Sequence, residues 1–419
     1  MNPIPAAHEQ PAVADRAPLD AIDVDLERDR TLGSRLSTHV NAAGSALPST
    51  AVVGAVVDHL RLEEESGGYE AAAATRPRLE AVYASAAALV GARAEEIALL
   101  DSASTGLRVI LEALRPSRGQ QIIATRSTYV SHALHLMTLA RDRDVQLSVL
   151  PSTAAHAADL DALESLLRTG PPAIVTAAHI PTSSGLIEPA AEIGALVRRY
   201  GGVFVLDATQ SVGQLDVSVD RLQCDVLVTT GRKFLRAPRG TGFAYVAAPL
   251  IDRLAPAAPD VRAARWDRPD HWELDVSARR FETWESSVAA RLGLGVAIDE
   301  AMARGLPLTE SWLSRMATRL RTRLAEIDGV ALADPPGCTS AIVTFTIDAL
   351  AAAEAVAELA ARRVHVVSVP ATHGQWDLGD RGLPAVVRAS VHVYNDENDV
   401  ASLVDGVRHL AEGARTGAL

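Results

Sequence analysis

One side chain in this sequence carries a primary amine: Lys233 is the sole lysine beside 39 arginines. Arginine replaces lysine on a solvated surface at little cost, so GC-rich coding removes lysines wherever charge alone is needed. It does not remove one whose amine does chemistry. A guanidinium stays protonated, whereas a desolvated ammonium can lose its proton and attack a carbonyl. Lys233 stands in Thr229-Thr230-Gly231-Arg232-Lys233-Phe234, ahead of the Gly-rich turn Pro238-Arg239-Gly240-Thr241-Gly242. That setting makes it the candidate covalent anchor for a carbonyl cofactor. Asp207 ends the apolar run Val203-Phe204-Val205-Leu206, with Gln210 shortly after it. An aspartate facing a pyridine nitrogen keeps it protonated and turns the ring into an electron sink. Taken alone, it reads equally as a turn or capping aspartate; the lysine after the next strand gives it weight. Upstream, Asp101-Ser102-Ala103-Ser104-Thr105-Gly106 joins a strand to a helix. A helix N-terminus offers free N–H groups and a positive dipole end to phosphate. Ser104 and Thr105 add hydroxyl donors, and one of them serving as a plain N-cap is compatible with that role.

These residues need a scaffold that brings them together. Runs at Ile97–Leu100, Gln121–Thr125, Gln146–Leu150, Ala173–Ala178, Val203–Asp207, Asp225–Thr230 and Gly242–Val246 read as strands. Helical spacing lies between them, at Gly106–Leu114, Ser131–Ala140, Leu160–Leu167 and Pro189–Tyr200. The alternation predicts an α/β protein with a mostly parallel seven-stranded sheet sandwiched by helices. Ligands gather at the carboxyl ends of such strands, where Asp207 sits. The tract Ala255–Arg280 reads as an irregular crossing. Two long helices, Ser286–Arg304 and Leu308–Ile327, lead into a smaller α+β unit with a βαβ-like order. It comprises Ala341–Thr346, Ala349–Arg362, Val364–Val369, Val386–Val391 and Glu397–Ala411. The expected division is a mobile arm over residues 1–30, a large domain over 31–300 and a small domain over 301–419. The first segment of the large domain is expected to join the small domain or the substrate entrance.

Composition narrows the class. The 419 residues are 48% hydrophobic and 22% charged, ordinary for a globular protein. No apolar run reaches the roughly 18 residues of a membrane span, and residues 1–30 lack the apolar stretch of a secretory signal. A net charge of −12 opposes phosphate-backbone binding, so no nucleic-acid partner is expected. Two cysteines, Cys224 and Cys338, imply no disulfide framework and fit a reducing cytoplasm. His132 and His135 stand one helical turn apart without a nearby acidic or thiol partner, so no metal site is expected. No G-x-G-x-x-G joins a strand to a helix, which removes a dinucleotide reading.

The order of phosphate turn, Asp207-Ala208-Thr209-Gln210, and Thr230-Gly231-Arg232-Lys233 before a Gly-rich turn resembles the class V aminotransferases of PLP fold type I. That group includes cysteine desulfurases, isopenicillin N epimerase-like enzymes, kynureninases and C–S lyases. The resemblance runs from about Asn41 to Val404 and includes Arg388-Ala389-Ser390-Val391-His392-Val393-Tyr394-Asn395. His179-Ile180-Pro181-Thr182-Ser183-Ser184-Gly185 is similar to the family's loop toward the cofactor's phenolic oxygen. The resemblance implies pyridoxal 5'-phosphate held covalently by Lys233, which also moves the substrate's Cα proton. It places Asp207 on the pyridine nitrogen and Gln210 near the phenolic oxygen. Ala103, Ser104, Thr105, Thr230 and Arg232 fall to the phosphate, Arg232 standing where desulfurases have His. Arg388 falls to the substrate carboxylate, a task suited to a planar fork, with Asn41 and Tyr129 beside the substrate. Two departures stand out. The usual ring-stacking His is absent, leaving Arg126 and Tyr129 as alternatives, and Thr182 occupies the loop position of Asn. Arg280–Ser287 resembles a stretch that crosses a dimer interface to the partner's phosphate, with Ser286 or Ser287 as donor. The same residues read equally as a helix N-cap. A homodimer acting on a small amino acid follows.

Desulfurases carry a nucleophilic cysteine shortly before the carboxylate-binding Arg. Ser368–Val387 has none, which opposes persulfide chemistry. Lysine as base, the cofactor as sink and arginine as clamp suffice for β-elimination, epimerisation or transamination. Elimination from a cysteine conjugate or sulfoxide is the favoured reading. An epimerase needs a second acid/base, for which Tyr129, His373 and Tyr394 are candidates. A cofactor-binding protein without turnover would be favoured by loss of Lys233, Asp207 or Arg388, and all are present.

Overall fold

A computed structural model describes residues 21–416. Seven strands form the main sheet: β1 (Ile97–Leu100), β2 (Gln121–Ala124), β3 (Gln146–Val149), β4 (Ile174–Ala178), β5 (Val203–Asp207), β6 (Val226–Thr230) and β7 (Gly242–Val246). Their order is β1-β7-β6-β5-β4-β2-β3. Strands β2 to β6 pair in parallel, and β7 runs antiparallel to both neighbours. Successive side chains alternate between two apolar layers. Ile123, Val175, Phe204, Leu206 and Phe243 enter one; Ile122, Ile174, Val205, Val228 and Ala244 enter the other. Burial on both faces is why these strands read as unbroken apolar runs. Apart from Val203 at the start of β5, the partly exposed residues of this sheet lie on β3, at its edge.

Helices of use below are α1 (Val24–Asp29), α2 (Thr50–Ser66), α3 (Arg76–Val90), α4 (Ala103–Leu114), α5 (Val130–Arg143), α6 (Val288–Arg304) and α7 (Leu306–Ala325). Helix α6 packs against α2 and α3. Its Gly293 and Gly295 allow this, since a Cβ would stand 2.9 Å from Val56 Cγ2 and from Val82 Cγ2 respectively. A smaller sheet of β8 (Val330–Leu332), β9 (Ile342–Ile347), β10 (Val367–Pro370) and β11 (Ala385–Ser390) has the order β8-β9-β11-β10 and is antiparallel throughout. Strands β9 and β10, each antiparallel to the β11 between them, run in the same direction and are joined through the helix Ala352–Ala361, so the βαβ-like order holds with an antiparallel strand inserted. Thr38–His39 pairs in parallel with Val364–His365, and Asn41 bridges to Ser390. Residues 38–41 are thereby tied to the C-terminal part of the chain, Asn41 to the small sheet itself.

Two expectations change. Ala255–Arg280 contains a β-hairpin, Ala264–Arg268 against His271–Leu274. Most of its residues face solvent, so no apolar alternation marks it. The mobile-arm expectation falls largely on residues outside those described, but from Val24 the chain is helical. Asp23 caps α1 through Leu26 N at 2.9 Å, and Glu27 is buried between Arg236 at 2.7 Å and Arg304 at 3.1 Å. Among the described residues, no helix is long and apolar enough to cross a membrane.

Candidate active site

Lys233 follows β6 on a loop closed at both ends. Gly231 N donates to Thr241 O at 2.8 Å, and Ala237 N to Gly231 O at 2.9 Å. A side chain at Gly231 would collide with Thr241 Oγ1 and Ala237. The fold leaves the lysine 9% exposed. Burial, assisted by Arg388 and Arg232 and opposed by Asp207, lowers its pKa to about 7. Asp207 ends β5, buried, and accepts a hydrogen bond from Thr209 N at 3.0 Å. Burial raises its pKa, against the pull of Thr209 and Lys233.

Both residues line a cavity of about 280 Å³ at the carboxyl ends of the strands. Its wall also holds Ala103, Ser104, Tyr129, Thr182, Gln210, Thr230 and Arg232. The sequence therefore located much of this wall. Gln210 donates from Nε2 to Ala43 O at 3.1 Å, while its Oε1 is buried without a partner. The Arg232 guanidinium donates to Gly44 O. Thr230 Oγ1 donates to Thr241 O at 3.1 Å. Tyr129 meets His373 edge-on, with ring centroids 6.2 Å apart. Thr182 accepts from Arg388 Nη1 through both its hydroxyl and its carbonyl, the latter at 3.2 Å. Arg388 itself lies behind Thr182 on β11, 4% exposed, its Nε without a partner. Among the described residues it forms no ion pair. Burial and the neighbouring Arg232 lower its pKa to about 10. A buried cation of this kind is costly unless an anion joins it.

Several of the expected site residues fall elsewhere. Arg126 turns out of the cavity wall to an ion pair with Asp380 and a bond to Leu150 O at 3.3 Å. Its guanidinium finds these acceptors outside, so it is no candidate for ring stacking here. Thr105 spends its hydroxyl on Ser102 Oγ at 3.0 Å and is not part of the wall. The N-cap of α4 is Ser102, which accepts from Thr105 N at 3.2 Å, and not Ser104 or Thr105. Asn41 stands apart from the wall with its Oδ1 buried and unpartnered. Ser286 borders a separate cavity of about 710 Å³ with Tyr69, Arg262 and Trp284, and Ser287 caps α6 through Ala290 N at 3.1 Å. His373 is exposed, whereas Tyr394 is buried with its hydroxyl 3.0 Å from His39 Nδ1.

Other residues escaped sequence reasoning. Ser102, Ser127, His132, Thr209 and Arg239 line the cavity. His132, weighed only as a metal ligand, places Nε2 2.7 Å from Thr176 Oγ1. Burial lowers its pKa to about 3, so it is neutral. Behind the wall, Glu188 accepts from Ser127 Oγ and Ala158 N, each at 2.8 Å. Burial raises its pKa to about 7. Its spacing from the other site residues follows no periodic pattern that would have marked it.

A phosphorylated pyridine aldehyde fits these groups. A desolvated amine suits the aldehyde, a buried carboxylate suits the ring nitrogen, and the start of α4 with Ser104, Thr230 and Arg232 suits the phosphate. Comparisons agree. The family described as Aminotransferase class-V matches residues 40–403. A relative from Methanothermobacter thermautotrophicus named "Probable cysteine desulfurase" is 24% identical, over 92% of this chain and 98% of its own. A protein of Mycobacterium tuberculosis named "Probable hercynylcysteine sulfoxide lyase" is 29% identical, over 88% of this chain and 89% of its own. The apo structure of a cysteine desulfurase from Thermococcus onnurineus superposes with a TM-score of 0.88 at 23% identity, covering 95% of this chain and 100% of that one. With the fold, the lysine, the aspartate and the phosphate turn in place, the chain belongs to the class V aminotransferase family of pyridoxal phosphate-dependent enzymes.

Proposed function

We propose that the chain cleaves the C–S bond of a sulfur-substituted amino acid, a cysteine conjugate or sulfoxide, by β-elimination. The observation that carries this reading is where the two thiols lie. Cys224 is buried on the large domain, its thiol pushed up to about 12 by burial. The Cys338 thiol is likewise pushed up to about 12 by burial and by Asp334. Neither lines the cavity, and a thiol held protonated is a poor nucleophile. Elimination needs no thiolate. The lyase name of the Mycobacterium tuberculosis relative supports the same choice.

Arg388 holds the substrate carboxylate as a two-pronged donor and so orients Cα toward Lys233. The neutral amine of Lys233 takes the Cα proton. When bound, pyridoxal phosphate supplies the sink for the electron pair left at Cα, and Asp207 favours the protonated ring that makes it effective. That pair forms the Cα–Cβ double bond as the Cβ–S bond breaks. Sulfur departs with its electrons as thiolate or sulfenate, and released 2-aminoacrylate hydrolyses to pyruvate and ammonia. Tyr129 and Thr182 line the same cavity as Lys233.

Cofactor-loaded protein incubated with cysteine conjugates and sulfoxides should form pyruvate in step with the sulfur product. Replacing both cysteines by Ala should leave that rate largely intact. Arg388→Ala should lower kcat/KM by about a hundredfold or more. A stereoinverted product would identify an epimerase, and a keto acid formed with aminated cofactor a transaminase. A folded, loaded double-cysteine variant without activity would turn the assignment to persulfide transfer.

A further inference from the structure

The loop that carries Lys233 brings a second guanidinium to the cavity. Arg232 lies just before the lysine and Arg239 near the loop's other end, and both line the same cavity as Ser102, Ala103 and Ser104. The loop's cross-bonds, Gly231 N to Thr241 O at 2.8 Å and Ala237 N to Gly231 O at 2.9 Å, hold its ends together. Gly240, with φ +76°, turns the chain directly after Arg239. Neither guanidinium forms an ion pair among the described residues. Arg232 spends a donor on Gly44 O, whereas the Arg239 side chain makes no hydrogen bond among those residues. Each guanidinium has five N–H donors, so most remain free. The acidic members of the wall are Asp207, buried beside the lysine, and Asp101, exposed near the start of α4.

Two like charges held close without a counterion repel each other, and a dianion between them reverses the sign of that interaction. We propose that Arg232 and Arg239 form a two-guanidinium clamp for the cofactor phosphate, with Arg239 closing it from the solvent side opposite the start of α4. The clamp grips the phosphoryl group alone and is independent of the reaction that follows. Because Arg239 is exposed, its share of the attraction is screened by salt.

The test uses the cofactor-free full chain, titrated with pyridoxal 5'-phosphate or with pyridoxal, which lacks the phosphate, and followed by absorbance. Arg239→Gln should weaken binding of the phosphorylated compound by about 10- to 100-fold and leave pyridoxal within about twofold. Arg239→Lys should restore part of the loss, since charge returns without the fork. Inorganic phosphate should compete less well against the phosphorylated cofactor in Arg239→Gln than in the parent protein. Equal losses for both aldehydes would place the effect on the lysine or the fold and overturn the clamp. Unchanged cofactor affinity overturns it as well; a rise confined to the KM of an amino-acid substrate would assign Arg239 to that ligand instead.

Discussion

The amine of Lys233 owes its reactivity to what surrounds it. Burial, Arg388 and Arg232 favour the neutral form more than Asp207 opposes it, and the pKa falls to about 7. Uptake of an aldehyde by the cofactor-free protein should therefore rise with pH through about 7, where an exposed lysine would need pH above 10. Arg388→Leu removes one positive neighbour and should move that midpoint upward. Rapid-mixing absorbance across pH measures both, and a midpoint near that of a free lysine would refute the desolvated amine. The same shift has a sign for stability. Between about 7 and 10.5 the unfolded chain binds a proton that the folded chain does not, so this group's penalty on the cofactor-free fold vanishes above 10.5 and is complete below 7. Lys233, Asp207 and Thr230 were legible in the sequence because motif and strand ends fix them together. Arg239 and Glu188 were not, since loop closure and burial place them. Arg126 misled because adjacency to Tyr129 says nothing of which way either side chain turns.

At the level of elements, the lysine loop rests on α1. Arg236, at φ +63° and 2% exposed, donates from N to Lys233 O at 2.9 Å and pairs with Glu27. Glu27 also pairs with Arg304 of α6, and the two arginines hold its carboxyl below its usual range despite burial. Removing one member of a buried pair strands the others, at about 3–5 kcal/mol. Glu27→Leu should lose about that much in urea unfolding and release the cofactor sooner than the parent. A loss of under about 1 kcal/mol would show that α1 is not a brace. The seven sheet strands were readable because each is an apolar run between turns. Helices α2 and α3 were not assigned, since α2 turns Val53, Val57 and Leu60 to solvent and so shows no single buried stripe. The hairpin around Trp266 and Trp272 was missed for the same reason. Side chains exposed in one chain give no periodicity.

On the scale of the whole molecule, those exposed side chains call for a partner surface. Val53, Val57 and Leu60 recur at helical spacing on α2, and Tyr69 and Trp284 border the cavity that contains Ser286. We expect a two-fold dimer through this face. Light scattering should then give twice the 44.2 kDa chain mass, and Val57→Glu should shift it toward one chain. A monomer that keeps full cofactor affinity would refute a shared site. The pairing of Thr38–His39 with Val364–His365 also has a consequence in time. During synthesis these early residues emerge long before the strand they join. They wait while the sheet, Asp207 and Lys233 are made. Contacts so distant in sequence are slow to form. The carbonyls of Ala43 and Gly44, which hold Gln210 and Arg232, lie on this same waiting segment. A ribosome stalled before Val364 thus leaves a chain with its lysine and aspartate but without the pairing that seats those carbonyls. A chain ending before Val364 should therefore take up the cofactor less tightly than the full chain, and weaker yellow absorbance at equal cofactor concentration checks this.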